Sequence, residues 1–306
     1  GIFVFMMLSF FGIILIGVIF GGDSETVEVE NNSVIELNLS DISDDYAGKY
    51  SDPWVTAFSE RKKIGLTDVI NAIEIAETDD AIKGISILNT NSSLGMAQSK
   101  ELRDALNRFK KSGKFIYSYA NSYSQKEYYL NSVATSIYIN PIGELDFKGL
   151  STEVMFFKDF QEKSGLKMEV IRHGKYKSAV EPFLENKMSD ANKEQTMALL
   201  NGIWTNIVED ISKSRNIPVE KLNTIANGLL ARTPEMAKAQ NLIDYIAYED
   251  VYHNAIRKVL KVDKDEDYNT VSIADYTQKT TTTSVNMDSN DAIAIVYAQG
   301  EIGSGE

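Results

Sequence analysis

Hydrophobic and polar positions follow two alternating periods between residues 33 and 172. Short apolar runs, typical of strands, are Val34–Leu39, Gly84–Asn89, Lys114–Ala120, Ser136–Asn140 and Lys167–Arg172. Stretches with apolar residues every three or four positions, typical of helices, are Leu66–Ala76, Ala97–Lys111, Gln125–Val133 and Val154–Lys163. Because successive parallel strands need a crossover connection, this alternation predicts an α/β fold with a parallel sheet and flanking helices.

The second half of the chain has a mainly helical pattern. The predicted helices there are Asn192–Arg215, Pro218–Ile225, Pro234–Gln240 and Glu249–Leu260. The polar stretch 262–291 is predicted to be a linker, and the apolar strand that follows it resembles the opening of the chain at Ser33–Ser40. We therefore predict a first repeat over 33–261, a linker over 262–291 and the start of a truncated second repeat over 292–306.

Residues 1–22 carry no charged side chain and consist mainly of Ile, Phe, Leu, Val and Met. About 20 apolar residues suffice for a helix that crosses the hydrocarbon core of a bilayer. The segment lacks the small-residue cleavage site of a secretory signal peptide. It is predicted to be a single N-terminal transmembrane anchor.

The composition excludes several function classes. The net charge of −13 argues against a nucleic-acid partner. The chain has no cysteine, which removes disulfides, zinc-thiolate sites and a cysteine nucleophile from this span. Only His173 and His253 are available for a serine-histidine-aspartate triad, and no cluster of His, Asp or Glu has the spacing of metal ligands. We expect neither a metal nor a cofactor.

The candidate chemistry lies in residues 173–183, which place two lysines directly after the predicted strand Lys167–Arg172. An amine held in an apolar setting loses affinity for its proton, and a neutral lysine can act as a general base toward a serine hydroxyl. Lys175 and Lys177 would share a face of an extended backbone, so spacing alone does not separate them. Ser178 is a candidate to orient the amine, and Glu181 is expected to make a structural pair.

The segment Tyr176-Lys-Ser-Ala-Val-Glu-Pro-Phe183 resembles the signal peptide peptidase A family of membrane-anchored serine proteases, in its long, tandem-repeat form. Further resemblance lies in Ser124–Leu130, Asn140–Gly149 and Gly228–Asp244. The resemblance implies a Clp-protease/crotonase-like fold and a Ser-Lys dyad. It places the general base at Lys177.

In that family the nucleophilic serine lies in the second repeat, in a Ser-Gly-Gly context. The matching segment of the first repeat is Ser122–Tyr129, in which Lys126 occupies the nucleophile position and Ser124 falls two residues short. This copy of the site is therefore interpreted as degenerate. A repeat architecture puts the nucleophile roughly 90 residues beyond Ile293.

The resemblance also implies substrates, partners and location. It points to an endopeptidase that cleaves signal-peptide remnants or other apolar peptides. It further implies a homotetramer in the bacterial cytoplasmic membrane, single-pass, with its catalytic body facing the periplasm.

Three alternatives stay open at the level of sequence. The first is a non-catalytic, membrane-anchored scaffold of the same fold. The second is an acyl-CoA enzyme of the crotonase type, for which no distinct acidic pair is found. The third is catalysis within this chain by Ser124 with Lys177.

Overall fold

The computed structural model of the chain describes residues 28–43, 45, 64–88, 92–171 and 173–283, together with the isolated positions 3, 6, 7, 10, 11 and 296. The anchor predicted over residues 1–22 and the second repeat predicted to start at 292 lie outside the described residues, apart from those isolated positions. Among the helices of the described part, none combines the length and the apolar composition needed to cross a membrane.

The described strands form one parallel sheet in the order β5-β4-β3-β2-β1-β6. They are β1 (Ser33–Asn38), β2 (Ile82–Leu88), β3 (Phe115–Ala120), β4 (Ser136–Ile139), β5 (Tyr245–Ile246) and β6 (Thr270–Ser272). Strands β1 to β4 lie where the apolar runs predicted them. The predicted α/β fold with a parallel sheet and flanking helices is confirmed.

The helices fill the connections between strands and most of the second half. They are α1 (Leu66–Thr78), α2 (Met96–Lys111), α3 (Gln125–Asn131), α4 (Lys158–Ser164), α5 (Glu181–Leu184), α6 (Asp190–Arg215), α7 (Val219–Asn227), α8 (Pro234–Ala239), α9 (Glu249–Leu260) and α10 (Ile273–Thr283).

Two apolar clusters hold the sheet between its helices. The larger contains Ile35, Ile85 and Ile116 from three adjacent strands, together with buried residues of α1, α2 and α6. The smaller lies under α9, where Tyr252 packs on Tyr119 and Tyr138 with ring centroids 5.5 and 5.3 Å apart. The Tyr252 hydroxyl is also hydrogen-bonded to Ser86 at 2.6 Å, so α9 is fixed to the middle of the sheet.

The linker predicted over 262–291 is wrong for residues 270–283, which form β6 and α10. Strand β6 pairs in parallel with β1, from Thr270 opposite Val34 to Ser272 opposite Glu36. In α10 the fully buried Tyr276 belongs to the larger core and donates a hydrogen bond to Asp79 at 3.0 Å. These residues therefore complete the same sheet that β1 begins.

The strand predicted over 167–172 is absent from its described residues. Residues 166–171 form no regular secondary structure and pair with no strand of the described chain, and Ile171 is fully exposed. An apolar run becomes a strand only where a partner satisfies its backbone, and the sheet ends elsewhere, at β5 and β6.

The preceding helix is shorter than predicted. It begins at Lys158 instead of Val154 because the Phe157 N–H donates to the Pro182 carbonyl at 2.6 Å. The chain before Lys158 therefore runs without helical structure toward residue 182.

Arg103 is a charged side chain inside the core, with no exposed surface. Its guanidinium donates to the Tyr129 carbonyl at 2.6 Å and to the Asp210 carbonyl at 2.9 Å. It also donates to Ser132 and Ser214 hydroxyls, and burial lowers its pKa. One side chain thus joins α2, α3 and α6.

Candidate active site

Lys177 lies in an exposed turn that leads into α5. The turn begins at Gly174, whose φ of +109° is a backbone conformation that side chains other than glycine rarely adopt. The Lys177 N–H donates to the Gly174 carbonyl at 3.3 Å. Within the described part of the chain, the Lys177 amine has neither a hydrogen bond nor an ion pair. The sequence predicts apolar surroundings for the Lys177 amine, and the described residues do not provide them.

Lys175, the rival base, has charge-stabilising neighbours. Its amine donates to the Tyr176 hydroxyl at 3.2 Å and lies 4.8 Å from the centroid of that ring. Glu194 on α6 is 3.6 Å away. Tyr176 and then Glu194 raise the pKa of Lys175. These contacts favour the protonated form, which does not accept a proton.

Ser178 and Glu181 act differently from each other. The Ser178 carbonyl accepts the Glu181 N–H at 2.9 Å, whereas its hydroxyl makes no hydrogen bond to any described residue. The Glu181 side chain is buried and accepts hydrogen bonds from Ser189 and Asn192 at the beginning of α6. Glu181 therefore has the structural role expected of it, but these donors are neutral and not the basic group that the sequence suggested, and they fix α5 to α6.

Lys126, at the position that corresponds to the nucleophile, is occupied in holding the backbone together. It lies in the first turn of α3, just beyond the carboxyl end of β3. Its amine donates to the Leu94 carbonyl at 2.6 Å and to the Ser92 carbonyl at 3.1 Å. Position 126 is therefore filled by a cation that ties α3 to the segment before α2.

Ser124 caps α3. Its hydroxyl accepts the Glu127 N–H at 3.3 Å, and the Glu127 carboxylate accepts the Ser124 N–H at 3.0 Å. This reciprocal pair is a capping box, which satisfies two backbone donors at a helix start. Ser124 and Lys177 share no hydrogen bond in the described structure, so the structure lends no support to catalysis by that pair within this chain.

The sequence reading missed the two contacts that shape this region. For Glu181 the available signal was the Ser189-x-x-Asn192 spacing, which is typical of a helix start and predicts a place for a carboxylate. For Lys126 no local signal exists, because its partners lie more than 30 residues earlier in the chain.

The fold and this region belong to a known class of peptidases. Residues 108–263, which run from α2 to just beyond α9 and contain both Lys126 and Lys177, match the sequence model of Peptidase family S49. The chain belongs to this family, as the signal peptide peptidase A motifs predicted.

Curated relatives carry protease names. The chain is 30% identical over 302 residues to "Protease 4" of Haemophilus influenzae, an alignment that covers 93% of this chain and 48% of that protein. It is 33% identical over 251 residues to "Protease 4" of Salmonella typhi, covering 79% and 40%. It is 30% identical over 274 residues to "Serine protease SPPA, chloroplastic" of Arabidopsis thaliana, covering 90% and 39%. The chain thus spans less than half the length of each of these relatives.

Proposed function

We propose that this chain is the lysine-bearing half of a membrane-bound serine endopeptidase that works with a Ser-Lys dyad. Lys177 is the general base, and the nucleophilic serine lies in a second repeat. The observation that carries the proposal is the Peptidase family S49 match, which spans the whole Lys177 segment. The greater length of the curated relatives leaves room for the second repeat.

Two sets of contacts support this assignment of roles, those of Lys126 with Ser124 and those of Lys175. Lys126 and Ser124 are both committed to backbone hydrogen bonds, which leaves the first repeat without a free serine at the nucleophile position. Lys175 is favoured in its charged form by Tyr176 and Glu194, which leaves Lys177 as the better base of the two. The second repeat would then have to supply both the serine and the apolar cover over the Lys177 amine.

The proposed reaction needs a neutral amine within hydrogen-bond reach of the serine hydroxyl. Lys177 takes the hydroxyl proton as the oxygen attacks the peptide carbonyl, and the resulting ammonium returns a proton to the leaving amine. Backbone N–H groups stabilise the oxyanion. Water then hydrolyses the acyl-enzyme, with the same lysine as base.

Substrate, location and assembly are part of the same proposal. The substrates are signal-peptide remnants or other apolar peptides, and the chain is held by one span in the bacterial cytoplasmic membrane with its body toward the periplasm. The homotetramer is supported by the exposed apolar residues of the arm, our name for residues 150–188. They include Met155, Phe160, Leu166, Met168 and Ile171. Exposed apolar patches mark interaction surfaces.

A second candidate function is a non-catalytic scaffold of the same fold. One observation favours it: the Lys177 amine meets no serine hydroxyl among the described residues. On this hypothesis Lys177 is an ordinary surface residue. Ser124 and Lys126 then have only structural roles, as a helix cap and as a donor to backbone carbonyls.

Replacing the proposed base separates the two functions. In a protein that carries the proposed second repeat, Lys177→Met should lower kcat for an apolar peptide by at least about a thousandfold, because it removes a general base and its proton transfer. The measurement is hydrolysis of a fluorogenic apolar peptide, with circular dichroism to establish that the variant is folded.

Lys175→Met is the matched control, since it removes a neighbouring amine that the structure keeps charged. It should retain kcat within about threefold. A folded Lys177→Met protein with full activity would refute the assignment. An unmodified protein without any peptidase activity would favour the scaffold.

A further inference from the structure

The segment that carries Lys177 has almost no buried side chain. Between Lys148 and Ala191 every described residue except one is at least partly exposed. The exception is Glu181, whose residue surface is only 3% exposed. A carboxylate is costly to bury unless hydrogen bonds replace the water it loses, so its contacts explain why it is there.

The Glu181 carboxylate is held by donors at the start of α6. It accepts the Ser189 N–H at 3.2 Å, the Ser189 hydroxyl, and the Asn192 side-chain amide at 3.0 Å. Ser189 is also the cap of α6, since its hydroxyl accepts the Asn192 N–H at 3.2 Å. A negative charge at this end of a 26-residue helix is further stabilised by the helix dipole.

We call the hydrogen bonds of the Glu181 carboxylate with Ser189 and Asn192 the Glu181 clamp. A short series of backbone contacts leads from this clamp to Lys177. The Glu181 N–H donates to the Ser178 carbonyl at 2.9 Å, and Ser178 follows Lys177 directly. The Lys177 N–H in turn donates to Gly174. The Glu181 carbonyl accepts the Glu185 N–H at 2.9 Å, so both sides of the turn depend on the backbone of residue 181.

Further contacts of the described residues in this segment lie within the arm. Phe157 stacks on Phe183 with centroids 5.9 Å apart, and Gln161 donates to the Phe183 carbonyl at 2.8 Å. These contacts join α4 to α5, and α4 buries no residue of its own. They do not attach the turn to the body of the protein. The Glu181 carboxylate attaches it to α6 from a buried position, and the exposed ion pair of Lys175 with Glu194 also reaches that helix.

We propose that Glu181 is a positioning residue for the Lys177 base, an inference that rests on the proposed function. Its buried carboxylate holds the 174–185 turns on the amino end of α6 and thereby sets where the Lys177 backbone lies. It does not contact the substrate. Proton transfer demands that donor and acceptor atoms lie within about 3 Å, so a loosened turn lowers the rate without weakening substrate binding.

The test uses Glu181→Gln in a protein that carries the proposed second repeat. The amide keeps the size of the side chain but loses its charge and presents a donor to a site built of donors. We expect kcat to fall at least about tenfold while KM stays within about twofold. Hydrogen exchange followed by mass spectrometry should show faster exchange of the amides of residues 177–185, with the sheet unchanged.

Glu185→Gln is the matched control, because it removes the same charge from an exposed side chain at the end of the same short helix. It should leave kcat and the exchange of residues 177–185 unchanged. Asn192→Ala is the second variant: it removes one donor and keeps the carboxylate, so it should produce a smaller change of the same kind.

The outcomes are separable. Unchanged exchange in Glu181→Gln, or faster exchange with an unchanged kcat, overturns the positioning role and leaves the Lys177 proposal intact. If Glu181→Gln and Asn192→Ala both lose activity and both lower the melting temperature of the whole chain, Glu181 has a general structural role. That result also overturns the positioning role. Full activity of Lys177→Met refutes the proposed function itself, whereas the exchange measurement still reports whether the clamp holds the turn.

Discussion

At the scale of single residues, the same residue type has different tasks at three positions of this chain. Lys126 holds two carbonyls, Lys175 is paired with a phenol and a carboxylate, and Lys177 is exposed without a partner in the described structure. Each difference arises from neighbours and not from the lysine. An amine that is to accept a proton must lack such stabilising contacts, and of these three lysines only Lys177 lacks them among the described residues.

Lys126→Met tests the structural role of the occupied nucleophile position. Methionine keeps the apolar stem but leaves the Ser92 and Leu94 carbonyls without their donor. Hydrogen bonds from a charged group justify an expected loss of about 1–3 kcal/mol in the free energy of unfolding. The measurement is urea denaturation followed by circular dichroism.

Lys221→Met is the control for that change, since Lys221 is an exposed helical lysine. It should alter the free energy of unfolding by less than about 0.5 kcal/mol. Equal effects of the two substitutions would show that the Lys126 contacts contribute nothing to stability.

Motif and geometry contribute differently to what the sequence can predict at this scale. The motif around residue 177 singled out one lysine. It did not predict how far the Lys177 side chain is exposed to solvent, because that depends on segments distant in sequence. Pairs such as Lys126 with Leu94 form only after the chain has folded, so no local pattern encodes them.

At the scale of elements, strands β1 to β4 were predictable because each is a run of apolar residues long enough to show its own period. Strand β6 was not, since it has three residues, of which only Val271 is both apolar and buried. It is a strand because the open edge of β1 lies beside it. The reverse holds for residues 166–171, where an apolar run has no edge to join.

Tyr276→Ala distinguishes an integral C-terminal element from a linker. Tyr276 is fully buried in α10 and donates to Asp79, so its truncation leaves a cavity and removes one of the hydrogen bonds to that carboxylate. The expected loss is about 3–5 kcal/mol in the free energy of unfolding, measured by urea denaturation. If residues 270–283 were a linker, the substitution would leave stability unchanged.

Tyr248→Ala serves as the comparison, because Tyr248 is 58% exposed at the start of α9. It should cost less than about 1 kcal/mol. Tyr276→Phe, which removes only the hydroxyl, should lie between the two and report the hydrogen bond to Asp79 alone.

At the scale of the whole molecule, charge and apolar exposure are unevenly distributed. The chain carries 31 basic and 44 acidic side chains, whereas the arm carries seven and six. Copies of the acidic body repel one another, but the nearly neutral arm with its exposed apolar side chains does not share that repulsion. Self-association, if it occurs as proposed, is therefore expected through the arm.

Replacing three arm residues by serine should weaken self-association. Met155, Leu166 and Ile171 are 74%, 65% and 103% exposed, so they can be changed without disturbing the core. We expect the dissociation constant to rise at least about tenfold in sedimentation velocity, because apolar area buried between copies is lost.

A matched triple variant changes exposed apolar residues outside the arm, namely Ile142, Val251 and Val259. It should associate like the unchanged protein. A monomeric unchanged protein, or an arm variant that associates normally, would contradict the proposal that the arm joins the copies.

The position of β6 has a consequence for how the protein is made. Within the described sheet, β1 is made before its neighbours: its inner neighbour β2 follows early in synthesis, but its outer neighbour β6 is encoded more than 230 residues later. Until Thr270–Ser272 have been synthesised, the backbone donors and acceptors on that side of β1 have no partner in the described sheet. The nascent chain must therefore carry an open strand edge while the more than 230 residues between β1 and β6 are synthesised, and such an edge can pair with the wrong chain.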